Sequence, residues 1–546
     1  MRNVMQEMDV SDWKERLAAY VPQDAQEQAD YEEICKAAET DGGQILYRSR
    51  NAGHVTCSGF VMNPALDAVL MVYHNIYDSF AWTGGHADGS ADFLWTAVRE
   101  AKEETGVRKP FPLSGVILSL DVLPVRAHVK NGAEVPAHVH YNVTYGLIAD
   151  PKEILSVKPD ENQDVRWIPV EQLTQVCREP HMLPVYEKVI ARMRACAARQ
   201  KQVMAALAEP LLAWYPSHAR DLPWRHDREP YYIWLSEIML QQTRVEAVKS
   251  YYQRFLEVFP DVHALAAATQ DQVNKCWEGL GYYSRAANLR KAAGEIVEKY
   301  NGIFPSAWEE VRSLPGIGGY TAGAICSICY ELPTPAVDGN VLRVAARVTD
   351  NFCEIDRTEQ KEAVTKNLAE VYQSHPGSCG MLTQALMELG ATVCLPNGQP
   401  LCGECPLAAL CTARKNNDVM RLPQRTAKKP RKMEQYTVFV LCCDGKYAVR
   451  KRGAKGLLHG LWEYPNIPGI CTAEEAIAQV SAWRCQPQDL LQTVERRHIF
   501  THVEWEMYGV YLTCARQDEQ FVWLSAQKIA EEISLPTAFR QFFREE

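Results

Sequence analysis

Four cysteines, Cys394, Cys402, Cys405 and Cys411, fall within 18 residues with the spacing C-x7-C-x2-C-x5-C. Four thiolates so close in sequence can wrap one metal centre, which would tie the chain into a tight loop at that point. A structural zinc suits the same set of ligands, and four buried thiols are the remaining reading. The chain holds 18 cysteines in all. The rest read as small buried hydrophobes of a reducing compartment. No run of 18 apolar residues and no signal peptide is visible, and Met1 to Asp30 is mostly polar and acidic. A cytoplasmic protein without a membrane partner is expected.

A length of 546 residues predicts two to four domains. With 47% hydrophobic and 23% charged residues, there is enough apolar material for several cores. Three folded units are expected. Residues 1–198 carry strand-like runs, Ala68–Tyr73 and Tyr141–Tyr145, around one strong helix, and read as mixed α/β. Residues 199–415 follow helical periodicity, broken by turn signals at Pro315-Gly316 and Asp338-Gly339. A basic linker is expected over 416–434, and residues 435–546 return to strands at Tyr436–Leu441 and Tyr508–Leu512. The first and third units could share a fold. The net charge of -10 is uneven. Residues 1–200 hold 20 Lys and Arg against 28 Asp and Glu, whereas residues 211–433 hold 25 against 24. The middle of the chain is therefore the part able to approach phosphate, although charge alone neither requires nor excludes a nucleic acid.

That middle part carries a helix–hairpin–helix pattern, Leu314-Pro315-Gly316-Ile317-Gly318-Gly319-Tyr320-Thr321-Ala322. Gly316 and Gly318 let the backbone come close to a DNA phosphate, and the next helix offers its free N–H groups. About one helix later comes Val337-Asp338-Gly339-Asn340-Val341. Asp338 reads either as a catalytic carboxylate or as a plain helix N-cap. Upstream, Trp234 to Thr243 sets Glu237 among apolar residues. Burial would suit it to proton donation near neutral pH; a solvated helix glutamate is the alternative. The segment Gly279-Leu280-Gly281-Tyr282-Tyr283-Ser284-Arg285-Ala286 adds a pair of tyrosines.

Together these segments resemble the endonuclease III and MutY superfamily of DNA glycosylases over about 200 residues, and the adenine glycosylases within it. The resemblance implies a [4Fe–4S] cluster on Cys394, Cys402, Cys405 and Cys411, with Arg414 and Lys415 near enough to meet a phosphate. The first gap has seven residues, where that family usually has six. It also implies that Glu237 protonates adenine, that Asp338 stabilises the developing oxocarbenium charge, that Asn340 orients Asp338 and that Tyr320 lines the sugar. Gln242 and one of Tyr282 and Tyr283 would enter the base stack. Gln384 and Glu388 match positions that hold the flipped base, with core packing as their alternative. Bifunctional relatives place a nucleophilic lysine after the hairpin glycines. Tyr320 stands there and cannot form a Schiff base, so a monofunctional hydrolysis is implied. The substrate implied is double-stranded DNA with adenine opposite 8-oxoguanine or guanine, bound by a monomer of bacterial, nucleoid-associated type.

Residues 435–546 resemble the MutY C-terminal domain, which has the Nudix fold and reads 8-oxoguanine. The supporting residues are Gly460-Leu461-Trp462-Glu463-Tyr464-Pro465 and Phe500-Thr501-His502. Thr501 stands where the family commonly has Ser, and either hydroxyl can bond the base edge. Core packing at a strand end is the alternative for Phe500 and His502. At the N-terminus, Gly84-Gly85-His86 and Arg99 to Val107 form a Nudix-like box. Glu100, Glu103 and Glu104 share one helix face, and like charges there call for a divalent cation, Mg²⁺, with a nucleoside diphosphate-type substrate. A solvated acidic face is the plain alternative. The family's first glutamate is replaced by Ala91. The expected architecture is therefore an α/β Nudix fold, an all-α glycosylase and a second α/β Nudix-like domain. The rival reading is a Nudix nucleotide hydrolase with a non-catalytic, lesion-binding tail.

Overall fold

The strand Gly53–Met62 is buried along its whole length, which requires cover on both faces of its sheet. The computed structural model, which describes residues 12–41, 43–50, 52–75, 78–130, 133–427, 430–453 and 455–543, puts this strand at the centre of an eight-stranded sheet. It runs parallel to His138–Ile148 and antiparallel to Ala68–His74 and Thr83–His86. One covering element is the helix Phe93–Thr105, capped by the Asp92 carboxylate and ended by Gly106 at φ 76. Another is the helix Leu183–Ala205, whose Tyr186, Val189, Ile190 and Met193 join an apolar cluster with Phe60, Met62 and Leu118. This helix continues across residue 198. The first expected domain boundary thus falls inside a regular helix, with no linker there.

The C-terminal sheet repeats the plan. Lys432–Cys443 runs parallel to Val503–Cys514 and antiparallel to Lys446–Lys451 and Asn466–Pro468, with Pro487–Ile499 beyond Val503–Cys514. In both sheets the first strand pairs parallel with a much later one, which is what a shared fold for the two ends of the chain requires. The C-terminal sheet starts at Lys432, inside the segment read as a linker. Lys428 and Lys429 of that segment lie outside the described residues.

The chain forms two compact units, and the helical region is divided between them. One unit comprises residues 1–219, 337–375 and 384–426, and the other 220–336, 376–383 and 427–546. In the first, Phe352, Cys411, Ala413 and Leu422 share an apolar cluster with Trp13, Leu17, Ile117 and Tyr145 of the N-terminal part. Arg16 pairs with Asp418 at 2.9 Å, and Ser114 donates to Asp350 at 2.6 Å. In the second, the helix Pro230–Leu240 packs against Gly319–Tyr330 and Val245–Val258, while Ser284–Tyr300 packs against Val262–Ala267 and Gln270–Cys276. Periodicity along the chain marked 199–415 as helical but carries no record of which helices share a core. Among the described residues, no helix is long and apolar enough to cross a membrane.

Candidate active site and nucleic-acid interface

Glu237 sits in the helix Pro230–Leu240, whose sequence PYYIWLSEIML leaves almost no polar face. Proline at its start fixes the first turn. Glu237 is 5% exposed, and the hydroxyl of Tyr320 donates to its Oε2 at 2.5 Å. Tyr320 lies in the first turn of Gly319–Tyr330, so the hairpin itself delivers this phenol. The far end of the glutamate helix is closed by Arg285. Its buried guanidinium donates to the carbonyls of Ile238, Met239 and Gln241, and also to those of Leu280 and Gly281. One side chain thereby ties the glutamate helix to the turn that carries Tyr282. Burial pulls the Arg285 guanidinium down to about 10, so it stays charged at neutral pH. In the sequence this arginine has no evident task. Its only signal was a cation in a segment otherwise free of charge.

The two hairpin glycines differ: Gly318 is extended at φ -89, and only Gly316 takes a left-handed angle. Gly316 has φ 77, and a Cβ there would come within 2.6 Å of Asn288 Cβ. Gly318 caps the following helix without any side-chain acceptor, which leaves the first N–H groups of Gly319–Tyr330 to an outside partner. Gln242 is exposed with φ 59, just past the glutamate helix. Of the two tyrosines left open above, Tyr282 is 47% exposed with φ 47. Tyr283 is 7% exposed, its hydroxyl 3.0 Å from that of Ser534. Only Tyr282 presents a ring that can enter a base stack without leaving a core. Its hydroxyl meets that of Thr501, on the turn between Pro487–Ile499 and Val503–Cys514. Thr501 and His502 are exposed there, while Phe500 packs on His498 and Trp505 with ring centroids 4.6 and 4.7 Å away.

In the other unit, Asp338 is both a cap and a pre-set carboxylate. Its Oδ1 accepts from the backbone of Asn340 at 2.9 Å and Val341 at 2.8 Å, and its Oδ2 accepts from Asn340 Nδ2 at 2.7 Å. Burial raises its pKa, against these three hydrogen bonds and the Arg343 charge. Arg343 in turn donates to Asn340 Oδ1 at 2.8 Å, so Asn340 is fixed from behind. A Cβ on Gly390 would lie 2.5 Å from Asn340 Cβ, which shows how closely the helix Cys379–Thr392 approaches. On that helix Glu388 is fully buried, and Gln384 is half-buried, accepting from the Tyr215 hydroxyl at 2.8 Å.

The four cysteines line one small cavity with Val344, Arg347, Val393 and Arg414. Arg347 Nη1 lies 3.3 Å from Cys394 Sγ and also donates to the Leu395 carbonyl. Burial, with the neighbouring thiols adding to it, pushes Cys405 and Cys411 up to about 11, so a cation is needed to hold them as thiolates. Four thiols around one cavity suit either a single tetrahedral zinc or an iron–sulfur cluster.

Comparison with known proteins matches residues 235–374 to the HhH-GPD superfamily base excision DNA repair proteins. Residues 53–192 and 437–545 each match a NUDIX domain. The adenine DNA glycosylase of Mus musculus is 32% identical over 406 residues, covering 62% of this chain and 78% of the mouse protein. That of Homo sapiens is 33% identical over 373 residues, covering 57% and 67%. The chain belongs to the adenine DNA glycosylase family. A solved thermostable thymine-DNA glycosylase is also similar, at 25% identity over 40% of this chain and 99% of its own, with a TM-score of 0.36.

The family member described here also carries the box glutamates on the N-terminal NUDIX domain. Glu100 and Glu104 turn toward the Thr83–His86 strand, where the Gly84 N–H points at Glu104 Oε1 from 3.4 Å. A Cβ on Gly85 would meet the Glu100 carboxylate, so any larger residue there would push that carboxylate away. Burial, then the charge of Glu100, pushes Glu104 up to about 8. Glu104 therefore keeps its proton at neutral pH unless a cation joins it, and the two carboxylates fit a divalent ion. Glu103 is more exposed, near Arg99 and Lys158. Ala91 packs against the apolar cluster around Trp13 and Phe93, which is where the missing first glutamate would have to fit.

Proposed function

We propose that this chain hydrolyses the N-glycosidic bond of adenine paired with 8-oxoguanine or guanine in duplex DNA, leaving an abasic site uncleaved. The observation that carries this reading is the 2.5 Å hydrogen bond from Tyr320 to Glu237. It puts a phenol, which cannot form a Schiff base, where a lyase keeps its amine, and it aims that phenol at the proton donor. Glu237 gives a proton to the departing base. Asp338, held by three hydrogen bonds, offers a fixed negative charge to the sugar as positive charge grows on it, and Asn340 keeps it aimed. Tyr282 and Gln242 fill the stack that the flipped adenine leaves. Thr501 reads the opposite base, with His502 beside it. The hairpin backbone at Gly316 and Gly318 takes a phosphate.

Cys394, Cys402, Cys405 and Cys411 would hold a [4Fe–4S] cluster, which supplies a structural cross-link to the loop. Glu100, Glu103 and Glu104 would hold Mg²⁺, which supplies Lewis-acid activation of a diphosphate; the residues themselves select that substrate class only. Two tests apply. In single turnover on a duplex with one 8-oxoguanine:adenine pair, strand breaks should need alkali, and Glu237→Gln should give none. Breaks without alkali would discard the monofunctional reading. The full chain with Mg²⁺ should hydrolyse at least one of 8-oxo-dGTP, ordinary dNTPs and ADP-ribose, and Glu103→Gln should not. The full chain is required because the apolar core around Trp13 includes Phe352 and Leu422. No turnover of any of these compounds would remove the second activity.

A further inference from the structure

The N-terminal cavity contains histidines that neither reading above uses. His54 opposes His140 in the parallel pairing of Gly53–Met62 with His138–Ile148. His138 lies two residues before His140 and so on the same face. His86, opposite Thr56, joins them at ring-centroid distances of 4.9 Å from His54 and 5.3 Å from His140. The signal in the sequence was the alternation His138-Val139-His140, which on a strand sends both rings to one side.

We propose that His54, His138 and His140 bind a divalent transition metal, Zn²⁺ foremost, with an open coordination position toward the cavity that the box glutamates also line. Three observations carry it. One ring nitrogen of each of these three histidines lies within 4.8 Å of the others, and His138 Nε2 is 3.3 Å from His140 Nε2. Two nitrogens about 2.0–2.1 Å from one tetrahedral ion stand about 3.3 Å apart. The Nδ1–H of His138 donates to the Pro136 carbonyl at 2.8 Å, which makes its Nε2 the lone-pair nitrogen of the neutral ring, facing His140 Nε2. That is the orienting bond a metal-binding imidazole makes on its far side. His54 is 4% exposed, and neither of its ring nitrogens reaches a hydrogen-bond partner, although the Arg50 backbone passes close. A buried imidazole left without any partner is costly, and a metal ion removes that cost.

Imidazole nitrogens select zinc and its neighbours, whereas the carboxylates of Glu100, Glu103 and Glu104 select magnesium. The cavity, about 830 Å³, is lined by both sets together with Arg48 and Lys158. Three neutral ligands leave the ion its full double charge, which suits a water or an anionic oxygen of a cavity ligand in the open position. The site stands whether or not the glycosylase or the Mg²⁺ reading holds.

The test uses full-length protein, stripped with a chelator, equilibrated with Zn²⁺ alone and desalted, with zinc and iron measured on the same sample. The wild type should keep one zinc per chain more than His138→Ala/His140→Ala, at equal iron content. Zn²⁺ should also raise the melting temperature of the wild type and not of the double variant. Should the double variant fail to fold, His138→Gln, at a half-exposed position, should fold and hold zinc at least about tenfold more weakly. Equal zinc in wild type and variant, or a wild type that keeps none and does not shift, overturns the site.

Discussion

The hydroxyl of Tyr282 lies 2.8 Å from the hydroxyl of Thr501. The first stands on the turn before the helix Ser284–Tyr300, the second at the tip of a C-terminal hairpin, and both are open to solvent. The proposed wedge and the proposed reader of the opposite base thus share a hydrogen bond. Tyr282→Ala should slow single-turnover excision from an 8-oxoguanine:adenine duplex about 10- to 100-fold, since unstacking a base costs a few kcal/mol that the ring offsets. Tyr282→Phe keeps the ring and loses only the bond to Thr501, worth about 0.5–1.5 kcal/mol, so its rate should fall less than tenfold. An alanine variant within twofold of the wild type would discard the wedge.

The helix-capping role of Asp338 and the catalytic role proposed for it can be separated by one substitution. Asn caps a helix about as well as Asp, so Asp338→Asn should leave stability within about 1 kcal/mol of the wild type. Excision should nevertheless fall at least about a thousandfold, because a neutral amide cannot stabilise a growing cation. Asp338→Ala should lose both activity and about 1 kcal/mol of stability. Denaturant melts beside single-turnover rates decide it. Normal turnover in Asp338→Asn would leave the residue as a cap alone.

The legible part of this protein was local. Leu314 to Ala322 announced a hairpin because glycine spacing is itself a backbone instruction, and Gly316 takes a left-handed angle at the turn. The box helix with Glu100, Glu103 and Glu104 was readable from i, i+3, i+4 spacing. What stayed hidden depends on contacts distant in sequence. Nothing in the run after Thr358 says that Phe352 and Leu422 share a core with Trp13, and the division of the helical region follows from such contacts. Tyr282 and Tyr283 are identical by composition, and only the fold buries one of them. Arg285 has five carbonyls within reach only because two turns converge on it.

The cysteine loop predicts a metal content. Purified protein should be coloured and contain about four irons per chain, as a [4Fe–4S] centre requires. Cys402→Ala should lose the iron and lower the melting temperature, because the loop also carries Leu407, which is fully buried. Arg347→Met should keep iron less well, since it removes the cation 3.3 Å from Cys394 Sγ. Colourless protein whose Cys402→Ala variant loses a single zinc would replace the cluster with the zinc alternative.

Asp350 and Asp418 give a pH dependence that can be signed. Asp350 accepts from Ser114 at 2.6 Å, the Gly115 N–H at 3.3 Å and Asn416 at 2.9 Å, while its Oδ1 has no partner. Asp418, fully buried, pairs with Arg16 and Arg421. Burial, then the charge of Asp418, pushes Asp350 up to about 6, above its ordinary 3.8. The folded form therefore holds this proton more tightly than the unfolded chain does. The resulting penalty on folding is full above about pH 6 and fades as the pH falls from about 6 toward 3.8. Two pKa units correspond to about 3 kcal/mol at most. Glu104, raised to about 8, acts in the same direction over this window, and His54, with a lowered pKa, acts against it. Comparison with a variant isolates the pair. Asp350→Asn keeps an acceptor for Ser114 and tolerates the φ of 57 at this helix end. At pH 7.5 it should match or exceed the wild type in melting temperature, and the gap should narrow as the pH is lowered from about 6 to 5. Parallel melting profiles over that range would mean that Asp350 is already ionised without penalty.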